Sequence, residues 1–592
     1  MTEKELHCLE ELNIKVKWPI FSNERDGFFI ACCKMEDYPD NIIVSMNAVS
    51  VNKDDMFSLK GKWKHTEKYG WQFKASVAIP NKAFSKDGLK KYLVDNIKGI
   101  GKRKAQILID TFGNETEEVF NKYPDKIKEC LNVSDKVFMT IINSWNEANK
   151  ESKYLVELAK LGITGKTAIN IFKVYEDECI EKIRKNPYAL IEDVARIGFI
   201  KADGIAKEMG IKNDDSRRID AGIMYVLTQL TEFGNVCTER NAFVTEAVKT
   251  LKVDECLVEK ECDYMISENK LISEDGFLYI KKLYFEELNV AKRLNTLNEN
   301  DAYKRTVSDE IASETGINYT EEQKSAIDIS VSSGVMVLTG GPGTGKTTTV
   351  KGIIKANEKI GRTVLCAAPT GRASKRMQEA TEHEAFTIHR LLEFNGEGFQ
   401  RNKDNPLGDS KGKYTLIIDE SSMIDISLMS SLLDAIPHNM NLVFVGDVDQ
   451  LPSVGPGTVL SNMITSDLFP TVRLTKIQRQ AEGSDIIKTA HSINSGKIPK
   501  LSTPFNDVYS YNVTGQEADT QLAMVLKIFE CSLRKYSVMD IQILSPQHTG
   551  KLGTENLNNQ IRDMVNKNGE KVAASIGDFR VGDKVMQTKK QL

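Results

Sequence analysis

A glycine-rich loop that follows an apolar stretch and precedes a helical pattern constrains the fold more than any other part of the sequence. The apolar stretch is Val335–Thr339, and residues 340–347 read Gly-Gly-Pro-Gly-Thr-Gly-Lys-Thr. This matches the spacing GxxxxGK[ST] in its required strand–loop–helix setting. The glycines let backbone N–H groups surround phosphates, and the N-terminus of the helix adds positive potential. The pattern therefore predicts an α/β domain with a phosphate-binding loop.

Two side chains of this loop are expected to carry chemistry. Lys346 should reach the β- and γ-phosphates of a nucleotide, and the hydroxyl of Thr347 should ligate Mg²⁺. A glycine-rich turn without a nucleotide is the alternative, and the strand–loop–helix setting argues against it. The residues that we expect to contact ATP in the loop are Gly341, Pro342, Gly343, Thr344, Gly345, Lys346, Thr347 and Thr348.

Two acids follow a second apolar strand, at Asp419 and Glu420. Asp419 is placed to hold Mg²⁺ through water, and Glu420 is placed to orient and deprotonate an attacking water. An apolar strand that ends in two acids is common by itself. Its position after the phosphate-binding loop, with room for strand–helix units between them, favours the functional interpretation.

Two further candidates lie later in the chain. Gln450 follows a third apolar strand, where an amide can sense the γ-phosphate, although a solvated glutamine in a loop rich in proline and glycine remains an alternative. Arg479 is a candidate arginine finger, which would neutralise charge in the transition state from across a cleft. Most arginines on helices are surface residues, so the sequence alone leaves this role open.

The composition limits the class of protein. Hydrophobic residues make up 41% and charged residues 27% of the 592 residues, which is typical of globular chains and excludes a collagenous, coiled-coil or disordered protein. No apolar run is long enough to span a membrane. The 10 cysteines form no CxxC pair, so they give little support to a zinc or iron–sulfur site and favour a reducing, cytoplasmic compartment. A net charge of −4 does not exclude a local basic stripe for nucleic acid.

Changes in the residue pattern divide the chain into parts. Residues 1–84 alternate apolar runs with turn residues, which predicts a small β-barrel. Residues 85–300 have helical periodicity. From 301 to 470, short apolar strands alternate with helices, which predicts a parallel sheet that is buried on both faces.

The motifs, taken in order, resemble those of the superfamily 1 helicases, and most closely the RecD/TraA family of 5′-to-3′ DNA helicases in its long, RecD-like subgroup. Seven motifs in one order are much more specific than any one of them. They occupy residues 319–323, 340–347, 368–377, 387–392, 419–423, 446–457 and 474–480.

The resemblance implies a role for individual residues. Gln323 would read the adenine edge, and Gln450 and Arg479 would contact the γ-phosphate. The segment 393–412 is similar to an insert that forms a duplex-splitting β-hairpin pin in this family, with Phe399 near its tip. The alternative is an ordinary surface hairpin with Phe399 packed inward. The residues expected on the path of single-stranded DNA are Pro369, Thr370, Arg372 and His389.

The N-terminal half extends the resemblance. Gly99 and Gly101, followed by Lys102, resemble a helix-hairpin-helix turn, whose backbone N–H groups can bind a DNA phosphate. Residues 161–168 and 186–206 are looser candidates. Each of these turns can instead serve only to pack helices.

The barrel segment resembles the small OB-like barrel of the long subgroup. Its aromatic residues Trp63, Tyr69 and Trp71 can stack on bases or pack inside the barrel.

Residues 471–592 are expected to form a partial second RecA-like domain. The family pattern continues beyond this chain into motifs V and VI, so the sequence predicts either a fragment or a shortened form with a weakened motor. Gln478 replaces the aromatic residue that is usual before the arginine, which is a mild mismatch.

The leading hypothesis is an ATP- and Mg²⁺-dependent 5′-to-3′ DNA helicase for recombination and repair, cytoplasmic and monomeric. Its partners would be single-stranded DNA, 5′-tailed duplexes and, as a further option, a repair or single-strand-binding protein. The first alternative is an inactive motor that acts as an ATP-gated DNA-binding protein. A P-loop kinase or small-molecule ATPase is another, against which Gln323, Arg479 and the N-terminal hairpins argue.

Overall fold

The chain folds into two compact units, Met1–Thr475 and Lys476–Leu592. None of the described helices is both long and apolar enough to cross a membrane. The computed structural model describes residues 10–23, 27–35, 38–48, 51, 53–66, 70–81, 89–90, 92–94, 97–231, 234–299, 306–409, 411–476, 484–499, 507–572 and 579–585.

Five strands at the start of the first unit close into a barrel in the order β1-β2-β3-β5-β4. All neighbours are antiparallel except β3 and β5, which run parallel. Alternate side chains such as Leu12, Ile14 and Val16 fill the interior, as a period of two requires. The predicted OB-like barrel is therefore confirmed. The strands are β1 (Glu11–Asn23), β2 (Phe28–Lys34), β3 (Ile42–Asn47), β4 (Met56–Thr66) and β5 (Gly70–Asn81).

A helical region follows the barrel, as its periodicity predicts, and it includes a three-stranded antiparallel sheet in the order β6-β8-β7. The strands are β6 (Cys237–Glu239), β7 (Leu271–Glu274) and β8 (Phe277–Ile280). The helices are α1 (Lys102–Phe112), α2 (Thr116–Lys122), α3 (Asp125–Leu131), α4 (Asp135–Lys160), α5 (Gly165–Tyr175), α6 (Cys179–Lys185), α7 (Leu190–Asp193), α8 (Phe199–Glu208), α9 (Ser216–Thr231), α10 (Arg240–Leu251), α11 (Glu255–Ser267) and α12 (Lys281–Asn298).

The phosphate-binding loop belongs to a six-stranded sheet in the order β11-β10-β12-β13-β9-β14, in which every pair is parallel. Strands β9 and β13 are buried along their whole length because helices cover both faces. The strands are β9 (Val335–Gly340), β10 (Thr363–Ala368), β11 (Ala385–Thr387), β12 (Tyr414–Ile418), β13 (Met440–Gly446) and β14 (Thr471–Leu474). The helices are α13 (Ser308–Thr315), α14 (Glu321–Ser332), α15 (Lys346–Lys359), α16 (Gly371–Thr381), α17 (Ile388–Leu391), α18 (Ile426–Asp434) and α19 (Val459–Thr465).

Two boundaries differ from those expected. Strand β14 pairs with β9, so the sheet continues to Leu474 and the first unit ends at Thr475 rather than at residue 470. Helix α12 belongs to the core of this sheet, because Val290, Leu294 and Leu297 pack among its buried residues. The partners of both elements lie far away in sequence, so local pattern could not assign them to this sheet.

The second unit contains helices α20 (Asp485–Asn494), α21 (Ala518–Ser532) and α22 (Thr554–Val565). Within 484–499, 507–572 and 579–585 it forms no strand, only an isolated bridge between Lys571 and Arg580. The apolar run at residues 541–545, which a second sheet would use as a strand, is not a strand. An apolar run becomes a strand only where a neighbour completes its hydrogen bonds, and the described residues of this unit contain no such neighbour. A second RecA-like domain stays a prediction.

A buried ion pair holds the helical region together. Arg218 on α9 and Asp203 on α8 are 4% and 7% exposed, and Arg218 Nε lies 2.8 Å from Asp203 Oδ1. Tyr188 donates to the same carboxylate at 2.9 Å, and Lys207 donates at 2.8 Å. Burial by itself raises the pKa of Asp203, but the bonds from Arg218, Lys207 and Tyr188 outweigh it and lower that pKa.

Substitution Arg218→Met should destabilise the first unit by about 3–5 kcal/mol, because it leaves a buried carboxylate without its partner. The measurement is urea denaturation followed by circular dichroism. The control is Arg217→Met, which removes the neighbouring, more exposed pair with Asp215. Since the pKa of Asp203 is lowered on folding, the difference between wild type and variant should hold above the ordinary aspartate pKa and shrink below about pH 4. Equal stabilities of the two variants at neutral pH would contradict this account.

Candidate active site and DNA-facing surface

The loop 340–347 turns between β9 and α15 through two glycines in the left-handed region. Gly343 has φ +75° and Gly345, the N-cap of α15, has φ +90°. The Thr344 hydroxyl donates to the carbonyl of Gly341 at 2.8 Å and closes the loop. The Lys346 ammonium lies inside this turn and donates to the carbonyls of Gly340 and Gly341. The backbone conformation is the one that directs N–H groups toward a phosphate.

Strand β14 limits the loop from the other side. A Cβ added at Gly340 would lie 2.9 Å from the carbonyl oxygen of Leu474 and 2.8 Å from Thr344 Oγ1. Glycine is therefore required at position 340 by close packing.

The two acids lie beside the loop, at the end of β12. The Asp419 N–H donates to the carbonyl of Ala367 at 2.9 Å, so the acid pair is tied to the end of β10. Glu420 has φ +52°, a left-handed conformation that costs free energy in a residue other than glycine and that recurs at functional sites.

The pKa values of both acids are raised. Burial is the largest cause for each, and for Glu420 the nearby charges of Asp419 and Asp447 add to it. The positive charges of Lys346 and Arg376 act in the opposite direction on both carboxyls. A glutamate whose pKa is raised toward neutrality is suited to accept a proton from water.

The donors present fit Mg²⁺. Thr347 is exposed at the start of α15, and Asp419 offers a carboxylate at the end of β12, which lies two strands from β9 at the same edge of the sheet. Hard oxygen ligands are what Mg²⁺ prefers, and one or two protein ligands leave its other positions to phosphate oxygens and water.

A third acid, Asp447, organises the turn after β13 and was missed in the sequence. It is 3% exposed, and its carboxylate accepts from the N–H of Asp449 at 3.1 Å and from the Gln450 amide at 3.4 Å. Gln450, exposed, is thus oriented by Asp447 at the same sheet edge as the acid pair. An aspartate directly after a buried strand was the signal available.

Of the two remaining nucleotide candidates, Gln323 and Arg479, the structure describes only Gln323. Gln323 is buried at the start of α14 and takes part in a capping box, in which its Oε1 accepts from the Thr320 N–H at 3.0 Å. This bond fixes its side chain at a helix end. Arg479 lies outside the described residues.

The predicted DNA path follows the ends of β10 and β11. The hydroxyl of Thr370, next to Pro369, caps α16 by accepting from Ala373 at 3.2 Å, and Arg372 on the first turn is exposed. His389 on α17 is also exposed.

Phe399 packs inward against the core under the sheet, which favours the alternative of an ordinary surface turn. The expected hairpin is reduced to two isolated bridges, Phe394–Phe399 and Asn402–Asn405. Phe394 is the aromatic residue left 47% exposed, and its ring lies 5.7 Å from that of His389. The spacing of two aromatic residues around a glycine turn was the signal that could have pointed to it.

The first helix-hairpin-helix candidate is open at Gly101 but closely packed at Gly99, where an added Cβ would lie 3.0 Å from Ile141 Cγ1. Gly99 has φ +92°, and a Cβ at Gly101, the N-cap of α1, would meet nothing within 4 Å. Lys102 is exposed beside it. The second candidate turns against the barrel, since a Cβ at Gly165 would lie 3.5 Å from the carbonyl oxygen of Ala48.

Of the aromatic residues of the barrel, one is packed inside and another is exposed. Trp63 packs against Phe73 with ring centroids 5.4 Å apart, whereas Trp71 is 43% exposed and lies 5.2 Å from His65. Tyr69 lies outside the described residues.

Comparison with known proteins agrees with this arrangement. Residues 323–456 match a family model described as an AAA domain, residues 147–237 match the HHH domain of ATP-dependent RecD2 DNA helicase, and residues 9–80 match the OB-fold domain of ATP-dependent DNA helicase YrrC. The ATP-dependent RecD2 DNA helicase of Deinococcus radiodurans is 29% identical over 576 residues, which is 94% of this chain and 78% of that protein.

Together these likenesses support a RecD-like superfamily 1 helicase. Shorter matches fall on part of the chain. The RecD subunit of the RecBCD enzyme of Mycobacterium tuberculosis is 38% identical over 169 residues, 24% of this chain and 28% of that subunit. The ATP-dependent DNA helicase dda of Enterobacteria phage T4 is 33% identical over 190 residues, 30% of this chain and 43% of that protein. The resemblance drawn from the ordered motifs is confirmed.

The raised pKa values of Asp419 and Glu420 predict where the rate of ATP hydrolysis falls on the acid side of its pH profile, the acid limb. Activity should fall as pH drops through a value above the ordinary glutamate pKa, since Glu420 must be deprotonated to act as a base. Substitution Arg376→Met removes a positive charge that lowers both pKa values, so the limb should move to higher pH. The measurement is the pH profile of kcat.

Lys375→Met is the matched control, because Lys375 lies on the same helix and pairs with Glu379. A limb that stays in place in Arg376→Met, or that moves equally in both variants, would rule out the charge of Arg376 as the cause.

Proposed function

We propose that this chain is an ATP-dependent DNA helicase that hydrolyses ATP at the edge of the six-stranded sheet and moves 5′-to-3′ along single-stranded DNA. The observation that carries the proposal is the hydrogen bond between the Asp419 N–H and the carbonyl of Ala367, 2.9 Å long. It joins the acid pair to the segment that leads into Pro369 and Thr370. Nucleotide chemistry and the DNA path therefore meet at adjacent strand ends.

The residues of the sheet edge supply the hydrolysis chemistry. Lys346 and the loop N–H groups hold the phosphates, and Glu420 orients a water and accepts its proton. Thr347 and Asp419 would hold Mg²⁺, which neutralises phosphate charge when it is bound. Gln450, oriented by Asp447, is in position to report the γ-phosphate. We keep Arg479 as the arginine finger on the strength of the motif order alone.

The DNA roles follow from exposure. Arg372 and His389 would contact the strand beside β10 and β11, with affinity that is electrostatic and independent of sequence. Phe394, exposed next to His389, is better suited than Phe399 to stack on a base. The turn formed by Gly99, Gly101 and Lys102 would bind another phosphate of the same DNA. The 5′-to-3′ direction and a role in recombination and repair rest on the likeness to RecD-type helicases.

Hydrolysis by the 592-residue chain should rise when single-stranded DNA is added, and Lys346→Ala should abolish it, because the ammonium that holds the β- and γ-phosphates is lost. The measurement is steady-state ATP hydrolysis with and without DNA. Lys355→Ala is the control, since Lys355 lies on the same helix α15 and pairs with Glu358 at its surface.

The wild-type chain should unwind a duplex with a 5′ tail and leave one with a 3′ tail intact. Unwinding of the 3′-tailed duplex alone would reverse the proposed direction. DNA binding without DNA-stimulated hydrolysis would favour the ATP-gated binding protein instead, an alternative supported by the lack of strands in the described residues of the second unit.

Substitution Arg372→Ala should weaken binding of single-stranded DNA and reduce the slope of log Kd against log salt by about 1, as expected for the loss of one phosphate contact. The measurement is fluorescence anisotropy at several salt concentrations, without nucleotide. Lys355→Ala again serves as the control and should keep the wild-type slope. If both variants have the wild-type slope, Arg372 does not touch the phosphate backbone.

A further inference from the structure

The loop that carries Asp447 and Gln450 is anchored at its far end by the helical region. We define the sensor loop as residues 446–457, and the strap as residues 234–236, which lie between α9 and β6. The Gly457 N–H of the sensor loop donates to the carbonyl of Gly234 in the strap at 2.9 Å. The neighbouring carbonyl of Pro456 accepts from the Ile426 N–H at 2.8 Å. Two backbone hydrogen bonds thus fix this end, one from the strap and one from α18.

Packing leaves the anchored end little room. Gly457 has φ +91°, and a Cβ there would lie 3.0 Å from Ile426 Cβ and 3.4 Å from Val236 Cγ1. A Cβ at Gly455 would lie 2.2 Å from Asp425 Oδ2, the carboxylate that caps α18. The strap therefore contacts the sensor loop by backbone and by side chain.

The sensor loop is held at both of its ends. At its start, Gly446 lies so close to the segment after Glu420 that an added Cβ would be 3.2 Å from the backbone nitrogen of Ser422. Near its end, the Ser453 hydroxyl donates to the carbonyl of Gly457 at 2.8 Å and lies 3.1 Å from that of Gly455. The sensor loop therefore begins beside the acid pair and ends at the strap.

A cavity of about 400 Å³ lies beside the anchor. Its walls come from the strap, from α12 and from α19, and they include Val236, Leu294, Val459, Met463 and Phe469. Helix α12 is itself fixed to α18, since Asn289 donates to Ser430 at 3.0 Å and to Asp434 at 2.9 Å. The cavity therefore borders the strap on one side and the fixed wall of α12 on the other.

We infer that the strap is a positioning element for ATP hydrolysis, which sets the sensor loop so that Asp447 and Gln450 meet the γ-phosphate, and which passes the nucleotide state to the sheet β6-β8-β7. The inference rests on the proposed function, because it assigns Gln450 to the γ-phosphate. Coupling between two sites is reciprocal, so if the strap affects how the sensor loop binds the nucleotide, nucleotide binding must in turn affect the conformation of the strap.

The sharpest variant is Gly234→Ala. Gly234 has φ +85° and a Cβ there would meet nothing within 4 Å, so the substitution strains the backbone that carries the accepting carbonyl without a steric clash. Gly276, in the β7–β8 turn of the same sheet, has φ +83° and equally open space. Gly276→Ala therefore has the same conformational cost away from the strap.

Gly234→Ala should lower the DNA-stimulated kcat at least about fivefold, the lower end of typical coupling factors, with KM for ATP unchanged. Gly276→Ala should match wild type in both. Val236→Ala, which removes the side-chain contact only, should give a smaller effect of the same kind. If Gly234→Ala and Gly276→Ala behave alike, the strap does not position the sensor loop.

Hydrogen–deuterium exchange gives a second readout that does not need turnover. The Gly457 amide should exchange faster in Gly234→Ala than in Gly276→Ala, and a non-hydrolysable ATP analogue with Mg²⁺ should change exchange in the strap of the wild-type chain. Absence of both effects would overturn the inference. A wild-type chain whose hydrolysis ignores DNA would contradict the proposed function, while a response of the strap to the analogue would still support the inference.

Discussion

The parallel pairing of β9 with β13, of β13 with β12, and of β12 with β10 is the constraint on which the rest of the structure depends. Parallel strands bring their carboxyl ends to one edge, so the residues that follow each strand are adjacent in space even when they are far apart in sequence. The phosphate-binding loop follows β9, Asp447 follows β13, the acid pair follows β12 and Pro369 follows β10. The order of these functional groups along the edge is therefore set by the order of the strands in the sheet. A single register slip would break it, and burial of β9 and β13 on both faces prevents such a slip.

This edge stores unfavourable free energy that the surrounding sheet must offset. Glu420 is held in a left-handed conformation, and the pKa values of both acids are raised chiefly by burial. Gly340 is packed so closely against Leu474 that any side chain would clash. The core that compensates is larger than the sheet itself, because α12 from the helical region contributes buried side chains to it. Strained, desolvated groups are retained where charge must be handled, and the apolar packing beneath them keeps them in place.

The sequence predicted the parts of the site that are local and missed those that depend on distant contacts. The loop 340–347 and the acid pair have fixed spacing within one strand–loop unit, so a motif identifies them. Strand β14 is only Thr471–Leu474, and its assignment depends on β9, more than a hundred residues earlier. Phe394 and Phe399 have the same chemistry, and only packing decides that Phe399 turns inward. The role of each residue on the nucleotide and on DNA stays a prediction, because neither ligand is part of the fold.

The anchoring of the sensor loop changes how the N-terminal half of this helicase is best understood. If the barrel and helical region only delivered DNA, they would need no contact with the loop that carries Asp447 and Gln450. Instead, α12 is bonded to α18, directly after the acid pair, and the carbonyl of Gly234 accepts from the far end of the sensor loop. A movement of the nucleotide site would strain these contacts, since close-packed interiors transmit strain. If the strap positions the sensor loop as we infer, the helical region takes part in ATP hydrolysis as well as in DNA binding.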